Sequence, residues 1–206
     1  MSTAETDLDA GDWWKIQVGG WASAVPYDPN PQREDGTTNH GFKDLRTDHG
    51  RIALIPEIAD SLEMQSLLRT INAPTGPFAS YGCNLDPPET NPHAHPGDPD
   101  VAIQAYVDVG FISLHAKRKQ DMIGLAQTLL AACPFTKQNL LYVDLQIREH
   151  RHFDQVPGRW CLRIELTAFG RGADEAARNF SHALSELNEI IANPDFHVAA
   201  RAAKSS

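Results

Sequence analysis

The sequence lacks both the cysteine content of a disulfide scaffold and the long apolar run of a membrane helix. Its three cysteines, Cys83, Cys133 and Cys161, show no CxxC spacing, and three thiols cannot all pair within one chain. This usage is typical of a reducing compartment. No apolar run approaches the roughly 20 residues that a membrane-spanning helix needs. The first twelve residues, MSTAETDLDAGD, are acidic and do not resemble a signal peptide. We therefore expect a cytoplasmic protein with no membrane partner.

Positive charge is also scarce. The chain has 18 Lys and Arg against 27 Asp and Glu, which gives a formal net charge of -9. Proteins that bind nucleic acid neutralise phosphates with clustered basic residues. The one basic run, residues 117–119, stands where a predicted strand is followed by a helix, and it is best explained as a solvated helix start. The charge balance thus predicts that nucleic acid is not a partner.

Catalytic signature motifs are missing. The sequence contains neither a phosphate-binding GxxxxGK[ST] nor a GxGxxG after a strand, and it lacks GxSxG and HExxH. Cys83 follows Gly82 at a predicted strand end, but no partner histidine can be identified for it. A small buried thiol is the ordinary role of such a cysteine. The motifs therefore identify no reaction.

Periodicity predicts a single α+β domain over residues 13–206, preceded by a disordered segment over residues 1–12. A strand over 13–21 is expected to bulge at Gly19 and Gly20. Residues 51–150 then show the order β-α-β-β-α-β, with strands at 51–55, 77–84, 101–113 and 141–150; Asp60 is the expected cap of the first helix. This is the split βαβ pattern of a ferredoxin-like sandwich, an antiparallel sheet with helices on one face. A strand at 160–167 and a helix at 174–192 extend it, and irregular loops are expected at 27–50 and 85–100.

Alternation along three strands predicts that one face of the sheet is polar. Its expected members are Gln104, Tyr106, Asp108, Asp144, Gln146, Arg148, Arg163 and Glu165. Of these, Tyr106, Asp108, Arg148, Arg163 and Glu165 are the predicted binding residues. The face could be solvated, with cross-strand charge pairs worth about 0.2–1 kcal/mol each. Alternatively, a second subunit or a ligand covers it, framed by the two long loops.

Two H-x-H pairs are the sharpest chemical signal: His93 with His95, and His150 with His152. If 156–159 forms the turn of a hairpin, Gln155 opposes Trp160. His150 then opposes Glu165, and His152 opposes Arg163. Two histidines and one carboxylate, His150, His152 and Glu165, form a set that binds Zn or non-haem Fe. Against a metal site, Arg163 would repel the ion, and a hairpin tip excludes water poorly.

Two functional hypotheses follow. The first is a non-catalytic, acidic binding module that contacts a protein partner, or a second copy of itself as a homodimer, through the polar face and the long loops. The second is a small enzyme that depends on a divalent metal bound by His150, His152 and Glu165, with Asp108 or Asp144 as acid or base. A cofactor-free enzyme stays open, because fold does not imply function. The missing motifs favour the first hypothesis.

Overall fold

One mixed sheet forms the centre of the protein. The computed structural model describes residues 6–9, 14–23, 44–90, 94–95, 97–113, 118–133, 140–150 and 159–203. The strands are β1 (Thr6–Asp9), β2 (Trp14–Ser23), β3 (Phe78–Leu85), β4 (Glu89–Thr90), β5 (Val101–Phe111), β6 (Leu141–His150) and β7 (Arg159–Gly170). Their order is β1-β2-β6-β7-β5-β3, with β4 also paired to β5. The β2–β6 pair is parallel and the other pairs are antiparallel, so the predicted α+β class is confirmed while the sheet is mixed.

In the described parts of the chain, four α-helices accompany the sheet. They are α1 (Leu62–Ile71), α2 (Lys119–Ala132), α3 (Ala173–Ala192) and α4 (Pro194–Ala202). The cap of α1 is Ser61, whose hydroxyl accepts a hydrogen bond from the backbone N–H of Met64 at 3.1 Å, and not the predicted Asp60. Within the described residues, none of the helices combines the length and the apolar character that crossing a bilayer requires.

The sheet contains one split βαβ unit. Strands β5 and β6 lie on either side of β7, each antiparallel to it, and α2 connects them along the chain. The strand predicted at 51–55 is wrong, because His49–Leu54 forms a 3-10 helix. In this segment Ile52 and Ile55 are buried while Leu54 is 69% exposed. A spacing of three matches a 3-10 turn, and a run of only five apolar residues does not distinguish it from a strand.

Two short strands lie in segments predicted to have none. Thr6–Asp9, within the segment predicted to be disordered, pairs with β2, with Thr6 opposite Val18. Glu89 and Thr90 pair with the start of β5, inside the loop predicted over 85–100. Pairing with a neighbouring strand stabilises both short strands, and the local sequence does not reveal that pairing.

The main core lies between the sheet and the helices. The predicted alternation is confirmed on the three central strands, whose inward apolar side chains are buried together with the stripes of α1, α2 and α3. A small apolar cavity shows that three helices share this face, because its lining combines residues of the sheet with residues of α2, α3 and α4. The lining residues are Phe78, Val109, Leu125, Leu129, Leu162, Ile164, Ile191 and Phe196.

Close contact at Gly170 provides a test of how α3 packs on the sheet. A Cβ at Gly170 would lie 2.1 Å from the backbone nitrogen of Ala176 on α3, where no flexible side chain can give way. We expect Gly170→Ala to lower the free energy of unfolding by about 1–3 kcal/mol, as other overpacked sites do. Gly50→Ala is the control, since its Cβ would meet only the exposed side chain of Asp48. Urea denaturation checks the prediction, and equal stability of the two variants would contradict it.

Candidate functional site

A buried ion pair stands at the centre of the polar sheet face. Asp108 on β5 and Arg163 on β7 are directly opposite in register. Two hydrogen bonds join them, from Arg163 Nε to Asp108 Oδ1 at 2.8 Å and from Arg163 Nη2 to Asp108 Oδ2 at 2.9 Å. The aspartate side chain is fully buried, and 12% of the arginine side chain is exposed. Such a bidentate geometry fixes both side chains, so the pair is a rigid part of the face.

Beside this pair lies a more accessible group of side chains on β5 and β7. The Arg163 guanidinium stacks on the ring of Tyr106, 3.6 Å from its centroid, which adds a cation–π contact. Glu165 accepts a hydrogen bond from Gln104 Nε2 at 2.6 Å, and Gln104 is exposed. Tyr106 and Glu165 are half-buried. The face therefore passes from a buried ion pair to a carboxylate that solvent can reach.

Two carboxylates meet across β6 and β7. Asp144 is directly opposite Glu165 in register, and Gln146 Nε2 donates a hydrogen bond to Asp144 Oδ2 at 2.9 Å. Burial raises the pKa of Glu165, and the nearby charge of Asp144 raises it further. The hydrogen bond from Gln104 and the charges of Arg163 and Arg148 act in the opposite direction. Burial therefore disfavours the charged form of Glu165 on this face.

At its other end the face carries a small buried apolar cluster, although Arg148 lies opposite Cys161 there. The ring of Tyr81 on β3 lies where a Cβ of Gly110 would stand, and it packs with the fully buried Cys161. Burial raises the pKa of the Cys161 thiol, and the charge of Asp108 raises it further. Burial likewise raises the pKa of Tyr81. These two groups stay protonated at neutral pH, so this end is a packing cluster without an activated nucleophile.

The predicted register of the last hairpin is wrong. His150 opposes Arg159, and Glu165 opposes Asp144, so Glu165 is six positions beyond the partner of His150. Six residues of strand span roughly 20 Å. The structure therefore does not bring Glu165 to His150 as the third metal ligand. His152 and residues 156–158 of the turn predicted at 156–159 lie outside the described residues, as does His93 of the other pair.

No alternative metal cluster takes its place in the part of the chain that the structure describes. Among those residues, no group of three or more His, Cys, Asp or Glu side chains could hold an ion. His95 is exposed in a loop. A metal at His150 and His152 with other ligands stays a prediction.

The five predicted binding residues share the polar face. Four of them, Tyr106, Asp108, Arg163 and Glu165, form the contacts described above. Arg148 is opposite Cys161, towards the apolar end. Alternation predicts Gln104 on this face, but its hydrogen bond to Glu165 depends on the order of β5 and β7 in the sheet and is not visible in the sequence. Residues 27–43 of the predicted loop 27–50 lie outside the described residues.

Breaking the central ion pair tests its rigidity. We expect Asp108→Ala to lower the free energy of unfolding by about 3–5 kcal/mol, because it leaves a buried guanidinium without its carboxylate. The double variant Asp108→Ala/Arg163→Met removes both charges, and we expect it to be more stable than the single variant. Asp48→Ala is the control: its half-exposed pair with Arg51 is worth about 0–1 kcal/mol and its cap bond from Gly50 N–H about 0.5–2 kcal/mol. Guanidinium denaturation of the four proteins gives the comparison, and equal losses at Asp108 and Asp48 would contradict it.

The raised pKa of Glu165 predicts a pH dependence of stability. Because the folded state holds this proton more tightly than the unfolded chain, the contribution of Glu165 to stability is greatest below its ordinary value of 4.5 and is lost as pH rises through the folded-state pKa. Glu165→Gln keeps the acceptor for Gln104 and has no charge to bury. We expect this variant to be at least as stable as the wild type at neutral pH, with the difference vanishing below pH 4.5. Urea denaturation across this range measures it, and a variant that is less stable only at neutral pH would refute it.

Comparison with known proteins gives no relative on which to base a function. No protein-family model, no curated protein and no solved structure matches this chain. The function must therefore be argued from the polar face alone, and from the chemistry of the side chains that the sheet places there.

Proposed function

We propose that the protein is a binding module that recognises a basic segment of a protein partner through the polar face of its sheet. The observation that carries the proposal is the environment of the Glu165 carboxylate. This carboxylate is half-buried, and its hydrogen bond comes from the neutral amide of Gln104. Within the described residues it forms no ion pair. A lysine or arginine side chain brought by a partner would supply the cation that favours its charged form.

The neighbouring residues fit the same role. Asp144 opposes Glu165 across the strands, and a negative charge at that position disfavours the charged form of Glu165. Tyr106 offers an aromatic ring at the edge of the group, and interfaces favour tyrosine. Arg163 does not compete for the site, because Asp108 holds its guanidinium at two points.

The charge of the whole chain supports a basic partner over self-association through this face. With a net charge of -9, the protein attracts basic proteins at long range and repels a second copy of itself. A homodimer built on this face would place the Glu165 side chains of two copies in one acidic interface. The predicted homodimer and the ferredoxin-like assignment of the sheet both remain proposals of this kind.

Titration with a short basic peptide tests the proposal. We expect acetyl-tetralysine amide to shift the amide resonances of residues 104, 106 and 165 in an NMR titration, while a tetraglutamate peptide leaves them in place. Glu165→Gln should weaken the affinity for tetralysine about tenfold, since a hydrogen bond to a charged group is worth about 1.5–3 kcal/mol. Raising the salt concentration should weaken it further.

The matched control is Glu189→Gln, which removes one exposed carboxylate from α3 on the opposite side of the sheet. If both variants weaken binding equally, the peptide responds to net charge alone and the proposal is wrong. Shifts confined to residues away from β5 and β7 would refute it as well. The molar mass of the free protein, measured by light scattering, tests the alternative hypothesis that the protein is a homodimer.

A further inference from the structure

One edge of the sheet is closed by side chains. Among the described strands, β3 ends the sheet order, with β5 as its neighbour on one side. Strands at an edge offer free backbone groups to other chains, and proteins usually protect them with charged residues or proline. Strand β3, FASYGCNL, contains neither. Its protection must therefore come from elsewhere in the fold.

The hydrogen-bond pattern shows which backbone groups of β3 face away from the sheet. Ile112 N–H donates to Pro77 O at 2.9 Å, so this opposed pair is the hydrogen-bonded kind. In an antiparallel ladder the kinds alternate. The N–H and C=O groups of Phe78 and Ser80, which oppose Phe111 and Val109, therefore point to the edge.

Two side chains bind two of these four outward groups, the C=O of Phe78 and the N–H of Ser80. Arg46 Nη1 donates to Phe78 O at 2.6 Å, and the same guanidinium donates to Pro74 O at 2.6 Å and to Gly76 O at 3.2 Å. Asn72, at the end of α1, accepts a hydrogen bond from Ser80 N–H at 3.1 Å and donates to Ser80 Oγ at 2.8 Å. An irregularity in the register between Ser80 and Gly82 interrupts the edge just beyond. Such bulges also hinder the addition of a strand.

We infer that Arg46 and Asn72 close the β3 edge against strand addition, and that a second copy of this chain pairs there when they are removed. The second copy is the occupant that the charges favour. Although the chain carries a net charge of -9, β3 itself is uncharged, so two antiparallel β3 strands can meet without placing like charges opposite one another. Identical edges related by a two-fold axis form a closed, isologous interface.

Removal of the arginine tests the inference. We expect Arg46→Gln to show a mass by light scattering that rises with concentration towards twice the wild-type value. In Arg46→Gln/Asn72→Ala, which also removes the acceptor of the Ser80 N–H, the backbone amide of Ser80 should exchange hydrogen faster than in the wild type when the variant is dilute, and slower when it is concentrated. Arg51→Gln is the matched control, because Arg51 belongs to the same segment but pairs only with the exposed Asp48. Its mass should equal that of the wild type at every concentration.

Two further variants keep the inference open to refutation. If Arg46→Gln does not fold, Arg46→Lys retains one cationic donor and should associate in the same way at higher concentration. Adding Asn84→Lys to Arg46→Gln places a charge on β3 and should restore the wild-type mass. A mass equal to the wild type in both Arg46 variants would overturn the inference. Association that persists with Asn84→Lys would overturn it too, because the contact would then lie elsewhere.

Discussion

The rest of the structure depends on the pairing of β7 with a long antiparallel strand on each side. Because β5 and β6 flank it over most of its length, β7 can bury side chains on both faces. The inward face does so with apolar residues, which pack against α2 and α3. The outward face does so with polar ones, and a buried polar group requires a partner. The Asp108–Arg163 pair is the solution at the centre of that face.

This constraint explains the gradient along the polar face. Where Asp108 and Arg163 satisfy each other, both side chains are locked and nearly excluded from solvent. Towards Cys161 the face becomes a small apolar cluster under Tyr81. Towards Glu165 the paired groups give way to a carboxylate held by a neutral amide. The candidate site thus lies beside the central ion pair, on a rigid platform that positions it.

The edge of the sheet at β3 is protected by residues outside the strand, whereas the centre is stabilised by pairing between its own strands. At β3 the strand sequence itself carries no protection, and the fold supplies it through Arg46 and through Asn72 at the end of α1. Arg46 also fixes the turn that joins α1 to β3, since its guanidinium binds the carbonyls of Pro74 and Gly76. The same contacts therefore shape a turn and close an edge, although the edge lies far along the chain from Arg46.

The amino-acid sequence by itself determined the faces of the central strands and the stripes of the longer helices. Alternation has a period of two and the helix stripe a period near 3.6, and each is a local property that Ile164 or Leu184 carries wherever the element is placed. It also placed Tyr106, Asp108, Arg163 and Glu165 on one face.

Which residues meet across strands was decided only in the tertiary structure. A register shift by an even number of residues keeps every side chain on its own face. The predicted register at His150 was wrong by six residues, and the alternation pattern could not reveal this. Glu165 is therefore not the cross-strand neighbour of His150. The 3-10 turn at Ile52 and the short strands β1 and β4 depended likewise on neighbours that the local sequence does not contain.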